Sequence, residues 1–173
     1  MTGSIAIRRA TIGDAFRLSD IGGATFTETF GHLYPPADLA AFLQGAHAPD
    51  AWTRRLHDPH VAVWLVEDAD GTTVAYASAG PCKLPVADLE SNAGELFQLY
   101  VRGTHHGRQI GSRLLGTAIA WLEGHGFDPL YVGVWSGNHG AQRLYARCGF
   151  TPHGEYEFPV GGQRDREFIL RRA

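Results

Sequence analysis

The residues best suited to chemistry lie where a strand-like run turns into a helix-like one: His106, Gly107, Arg108, Gln109, Ile110, Gly111 and Ser112, within "VRGTHHGRQIGSRLL". A helix start leaves unpaired backbone N–H groups and about half a positive charge of dipole. A turn of small residues lets an anion approach that backbone, and phosphate is the natural guest. Gly107 and Gly111 permit the approach, Arg108 and Arg113 add charge, and Ser112 offers a hydroxyl. The competing reading is that Gly107 only makes a tight connection. Neither GxxxxGK[ST] nor GxGxxG fits the stretch, which disfavours mononucleotide and dinucleotide folds.

Other reactive types are less organised. The nine histidines include no HExxH, and in "HDPH" (His57, His60) a proline stands where a ligand-bearing helix should run, so no metal site is expected. Cys82 and Cys148 make neither a CxxC pair nor a disulfide framework, which suits packing roles in a reducing compartment. A net charge of −3 with acids and bases intermixed argues against a nucleic-acid surface. The apolar runs fall short of the roughly 20 residues of a bilayer span, and "MTGSIAIRRA" lacks an apolar signal core, so the expectation is a cytoplasmic protein without membrane attachment.

The elements that must position these residues follow from period. At 173 residues and 44% hydrophobic content the chain can bury one good core, which implies a single domain over residues 1–173. "SIAIRRA" alternates as a first strand, and a helical pattern from Asp14 runs through Phe16, Ile21, Ala24 and Phe30 to the stop at "YPP". A second helical stretch from Leu39 heads towards Trp52 and Leu56, with a break expected at "GAHAPD". "HVAVWLVEDADGTTVAYASAG" is a hairpin, and "CKLPVADLESNAG" has the composition of a surface loop. "ELFQLYV" is a strand, Ile110, Leu114, Leu115, Ala118, Ile119 and Leu122 form a helical stripe ending near Gly124 or Gly126, and "PLYVGVWS" is the next strand. Asn138 is placed as the N-cap of a short helix stopped at Gly149, and "GEYEFPV" and "REFILRR" flank a Gly161-Gly162 turn. The strand, helix, strand unit from Glu95 to Trp135 is long enough for a crossover, which makes its two strands parallel neighbours.

Two blocks of this sequence together resemble the GNAT superfamily of N-acetyltransferases. "HGRQIG" occupies the family's Q/R-x-x-G-x-G/A motif, with His106 in place of glutamine or arginine and Gln109 in place of the first glycine. "VWSGNHGAQRLYARCGF" carries the second block intact through Asn138, Ala141, Tyr145, Gly149 and Phe150. "TFTETF", "YVGVWSGN" and the ending "GEYEFPVGGQRDREFIL" look most like the spermidine/spermine-type branch. The resemblance implies an α/β fold: a mixed, mostly antiparallel seven-stranded sheet with helices on both faces and a central parallel strand pair.

The resemblance also implies roles. The first block would hold the pyrophosphate of acetyl-CoA, and "QLYV" would be a splayed strand whose Leu99 and Val101 backbone, with Tyr100 between them, meets the pantetheine arm. Asn138 would hydrogen-bond that arm beside Ala141. Tyr145 matches the family's general acid, and a phenol of pKa about 10 can protonate a leaving thiolate; packing with Ala141 and Cys148 is the alternative. Glu95 is the candidate base by position, with Glu28 and Glu90 as other carboxylates able to bind a cationic substrate, and a solvated surface acid is the plain reading of each. Trp135 would line the acceptor cleft or pack.

The implied activity is acetyl-CoA-dependent transfer of an acetyl group directly to a primary amine of a small molecule, with a polyamine as the candidate acceptor, without a covalent acetyl-enzyme. The alternatives are a peptide or protein N-terminal acetyltransferase and a catalytically weak acyl-CoA-binding sensor. The implied partners are acetyl-CoA and a small amine, with a homodimer compatible, no nucleic acid, no membrane and no metal.

Overall fold

Strand and helix periods divide the chain largely as the residue pattern dictates. The computed structural model describes residues 3–173. In chain order they form β1 (Ala6–Arg9), α1 (Ala15–Phe30), α2 (Pro36–Ala46), α3 (Pro49–His57), β2 (Ala62–Glu67) and β3 (Thr73–Pro81). Then come β4 (Gly94–Val101), α4 (Ile110–Gly124), β5 (Leu130–Trp135), α5 (His139–Arg147), β6 (Thr151–Val160) and β7 (Gln163–Arg172). The seven strands make one sheet in the order β1-β2-β3-β4-β5-β7-β6. Only β4 and β5 run parallel; the other neighbouring pairs are antiparallel.

Because side chains alternate across a strand, the central strands feed two cores. Ala75, Ala77, Leu96 and Val132 point to one face, where α4 and α5 cover them with Leu114, Leu115, Ala118 and Tyr145. Val63, Leu65 and Tyr76 point to the other, under Ala15, Leu18, Ile21 and Trp52 of α1 and α3. This places helices on both faces. Each fully buried leucine or isoleucine of α4 contributes about 1.5–3 kcal/mol. Ile110 and Leu114, buried in the first turns of that helix, hold its N-terminus firmly against the sheet. No helix among the described residues is long and apolar enough to cross a membrane.

Two local expectations change, at Phe16 and in the segment before β4, while the break expected at "GAHAPD" is present. Phe16 is 74% exposed, because the buried stripe of α1 runs through Leu18, Ile21, Thr25 and Phe26; two residues from Leu18 is most of a half-turn away. The second helical stretch is two helices, since Pro49 opens α3 and Ala48 is extended at φ −61, ψ 150. The segment before β4 does more than run over the surface. Its Leu84 and Ala93 pack on Tyr131 and Ile169, covering a part of the sheet that no helix reaches.

Candidate active site

The site begins with a strand that loses one neighbour. β4 pairs with β5 only at Gly94, Glu95 and Leu96, opposite Leu130, Tyr131 and Val132, while its pairing with β3 continues to Val101. Beyond Leu96 the two parallel strands splay. The gap is a narrow opening of about 40 Å³ lined by Phe97 to Tyr100, Val132 to Trp135, Asn138, Ala141, Tyr145 and Glu167. On the α4–α5 face it widens into a cleft of about 600 Å³, and on the α1 face into a pocket of about 150 Å³. A passage through the sheet thus joins two spaces of different character.

The larger cleft is bordered by a loop whose backbone donors the chain itself leaves unused. Among the described residues, none of the N–H groups from Gly107 to Ser112 donates to an intramolecular acceptor. Gly107 has φ +76, and Gln109, the residue before α4, is left-handed at φ 60, ψ 15. That conformation is costly for a residue with a Cβ. It leaves six successive donors from Gly107 to Ser112 at the positive end of a fifteen-residue helix. The His106 Nε2–H donates to the Val101 carbonyl at 2.8 Å, tying the loop back to the strand end. His105 lines the cleft as well, with its Nε2 3.6 Å from the Asp68 carboxylate.

Leu99, Tyr100, Val101, His106, Gly107, Gln109, Ile110, Gly111, Ser112, Asn138 and Ala141 all line this cleft, so the structure brings eleven of the twelve expected binding residues together. Arg108 is exposed and outside the lining, as is Arg113; the cationic side chains that do line it are Arg143 and Arg147 of α5. Charge therefore comes from the opposite wall. Nothing in the sequence singled these two arginines out, because they sit between the residues of the second block.

On α5, Asn138 accepts from the Ala141 N–H at 3.1 Å, as an N-cap should. Tyr145, 5% exposed, lines both the opening and the large cleft, and its ring packs against Phe150. Packing and access to the cleft are thus compatible. Burial, followed by the nearby Glu167 carboxylate, raises its pKa, so the hydroxyl keeps its proton at neutral pH.

The smaller pocket is a side-chain construction. Ala79 opposes Leu96 and Ser78 opposes Gln98, which leaves Phe97 as an extra residue in β4. Such a bulge shifts the alternation by one. Glu95, Gln98 and Tyr100 consequently line this pocket, while Leu96, Leu99 and Val101 pack on the opposite face. Phe26, Phe30, Tyr34, Phe42, Tyr156 and Phe158 supply aromatic walls, with His47, Glu95 and Glu167 among them. Trp135 lines the opening and meets Phe30 edge-on.

Glu95 is 7% exposed and accepts from the Lys83 N–H at 2.7 Å. Burial outweighs that hydrogen bond and pushes its pKa up to about 7. Glu167, which sequence reasoning missed, accepts from the Tyr156 hydroxyl at 3.2 Å, and burial likewise raises its pKa to about 7. His47 is buried and held at a pKa of about 4 by desolvation and by Arg55, so it is neutral. The other two acids considered from sequence are engaged elsewhere: Glu28 pairs with Arg102 and accepts from the Gly103 N–H, and Glu90 holds Arg171 and the Tyr131 hydroxyl. Among the described residues no group of three or more His, Cys, Asp or Glu could hold a metal ion.

Comparisons with known proteins agree with this geometry. The family model described as "Acetyltransferase (GNAT) family" matches residues 25–150. An uncharacterized N-acetyltransferase of Lactobacillus delbrueckii subsp. lactis is 27% identical over 153 residues, 88% of each chain. The PaiA N-acetyltransferase of Thermoplasma acidophilum, solved in complex with coenzyme A, shares the fold with a TM-score of 0.78 at 18% identity, over 98% of each chain. A chimeric spermidine N-acetyltransferase from Vibrio cholerae gives a TM-score of 0.69 at 17% identity, over 97% of this chain and 94% of its own.

Proposed function

The chain belongs to the GNAT family of acetyltransferases, enzymes that take the acetyl group from acetyl-CoA, and we propose that it passes that group directly to the primary amine of a small cationic molecule. The observation that carries this reading is the passage between the splayed strands. It joins a cleft rich in free backbone donors to a pocket holding two carboxylates. Acetyl-CoA would lie along the unpaired edge of β4 at Leu99 and Val101, with its pyrophosphate on the N–H groups of Gly107 to Ser112 and Arg143 and Arg147 across the cleft. Asn138 and Ala141 would line the arm near the thioester.

An ammonium entering the smaller pocket would find aromatic faces and two carboxylates, the environment that favours a cation. Loss of its proton to a carboxylate frees the nitrogen lone pair to attack the thioester carbonyl carbon. Attack forms the C–N bond with two protons still on nitrogen; as the C–S bond breaks, the leaving thiolate takes the Tyr145 proton and the surplus nitrogen proton restores the phenol, leaving the amide and the CoA thiol. Neither Cys82 nor Cys148 lines any of the three spaces, which supports direct transfer over an acetylated cysteine. A pocket of about 150 Å³ suits a slender alkyl amine, and a polyamine is the finer form of this reading. Free thiols at both cysteines support a cytoplasmic setting.

The test is CoA release from acetyl-CoA with polyamines, arylamines, amino acids and peptide N-termini. Release is expected with the linear alkyl amines, and turnover confined to peptide N-termini would replace the small-amine acceptor with a peptide.

A further inference from the structure

Two carboxylates share the acceptor pocket, but they stand at different ends of it. Glu95 lies at the closed end of the splay, opposite Tyr131 in the last stretch where β4 and β5 still pair. Glu167, on β7, is opposite Trp135. Tyr131 and Trp135 are four residues apart, so Glu167 starts about 13 Å further along the strand direction, given a rise of about 3.3 Å per residue. That is where the gap between β4 and β5 is open. Accordingly Glu167 lines both the acceptor pocket and the opening towards Tyr145, whereas Glu95 lines the acceptor pocket alone.

The electrostatics follow the same division. The Glu167 charge acts on Tyr145, Tyr100, Tyr156 and Tyr34, while Glu95 acts on Tyr156 and on the Cys82 thiol. Glu167 also has a holder. Gly133 lacks a side chain on β5, and a Cβ there would come 2.8 Å from the Tyr156 hydroxyl. The bare glycine lets that hydroxyl reach the sheet and donate to Glu167 at 3.2 Å. Glu95 likewise has one oxygen engaged, by the Lys83 N–H.

The geometry points to Glu167 as the group that takes the proton from the acceptor amine, with Glu95 positioning the amine deeper in the pocket. This assignment rests on the acetyl-transfer reading above. The titratable groups that share the pocket or opening with Glu167 or act on it are Tyr156 from β6, Tyr145 from α5, Tyr100 and Glu95 from β4, Tyr34 from the α1–α2 connection, the neutral His47 from the α2–α3 connection and Asp165 on its own strand. No lysine or arginine lines the pocket or the opening among the described residues. The carboxylate therefore ionises near neutral pH, where a base is most useful, at about 7.

The experiment compares Glu167→Gln, Glu167→Asp and Glu95→Gln by CoA release across pH 5.5 to 9 and by acetyl-CoA affinity. Glu167→Gln should lower kcat by about 10²-fold or more at neutral pH. It should also remove the acid limb of kcat/KM for the amine, with acetyl-CoA affinity retained as evidence of a folded cleft. Glu167→Asp should keep the limb at a reduced rate, and Glu95→Gln should keep the limb and raise KM for the amine. If the limb survives in Glu167→Gln and disappears in Glu95→Gln, the roles are reversed and the assignment is wrong. Absence of CoA release from the wild-type protein with every amine overturns the acetyl-transfer reading and this assignment with it.

Discussion

The two spaces joined by the passage are built from different parts of the chain. The cleft proposed for acetyl-CoA is formed chiefly by two short stretches, Leu99 to Ser112 and Asn138 to Arg147, and is bordered by unpaired backbone donors. The acceptor pocket draws Phe26 and Phe30 from α1, Phe42 from α2, Glu95 from β4, Gly133 from β5, Tyr156 and Phe158 from β6 and Glu167 from β7. Backbone recognition suits a cosubstrate that never changes, and it leaves a compact sequence pattern. Side chains gathered from across the fold suit an acceptor that varies, and they leave none.

Tyr145 sits where the two spaces meet, so it gives the sharpest test of whether they work as one site. Tyr145→Phe keeps the ring that packs on Phe150 and removes only the hydroxyl. We expect kcat for CoA release to fall about 10²-fold, the scale of one lost general acid, while acetyl-CoA affinity by calorimetry changes less than about twofold. Unchanged kcat would reduce Tyr145 to a packing residue.

The second contrast is thermodynamic, because only the acceptor pocket buries carboxylates at a cost. Glu95 and Glu167 have folded pKa values of about 7, above the ordinary carboxylate near ~4.3. A raised folded value means that the native state holds protons the unfolded chain has released. The associated stability is fully present below about pH 4 and is lost as pH rises through about 7. Thermal unfolding should therefore show a melting temperature that falls between pH 6 and pH 8. Glu95→Gln, which can still accept from the Lys83 N–H, should flatten that fall and gain about 2 kcal/mol at pH 8. A melting temperature flat across this range would show that neither carboxylate is desolvated. The ionised form that destabilises the fold is the one proton abstraction needs, a familiar trade of stability for activity.

What the residue pattern revealed follows the same line. The Asn138 cap and a turn at Gly107 to Ser112 able to receive an anion were legible because helix starts and caps are local devices, read within a few residues, whereas Tyr145 was singled out only by the resemblance of the second block. The order of elements along the chain and the parallel pair followed from periods and connection lengths. The bulge at Phe97 was not legible, since "ELFQLYV" reads equally well as an unbroken strand and only pairing with β3 reveals the extra residue. Glu167 was hidden for a related reason: its neighbours Phe168 and Ile169 face different cores, so strand alternation marks neither side as special. Gly133 looked like an ordinary strand glycine. Gly133→Ala should drive the Tyr156 hydroxyl away from Glu167 and lower kcat/KM for the amine about tenfold, a change of ~1.4 kcal/mol, leaving acetyl-CoA affinity intact. An equal loss of both would blur the division between the two spaces.

The smallest effect is expected on the cosubstrate side, at the residue that departs from the family motif. Gln109 holds φ 60 immediately before α4, a conformation that glycine adopts without strain. Relief of that strain is worth about 1–2 kcal/mol, but glycine also loses about 0.5–1 kcal/mol through the freedom it adds to the unfolded chain. Gln109→Gly should accordingly raise stability by no more than about 1 kcal/mol. Acetyl-CoA affinity should shift less than about threefold, because the N–H groups from Gly107 to Ser112 are already unpaired in the native loop. A large gain in affinity would mean that the glutamine side chain obstructs the anion site, and the backbone cleft would then depend on side-chain identity as much as the acceptor pocket does.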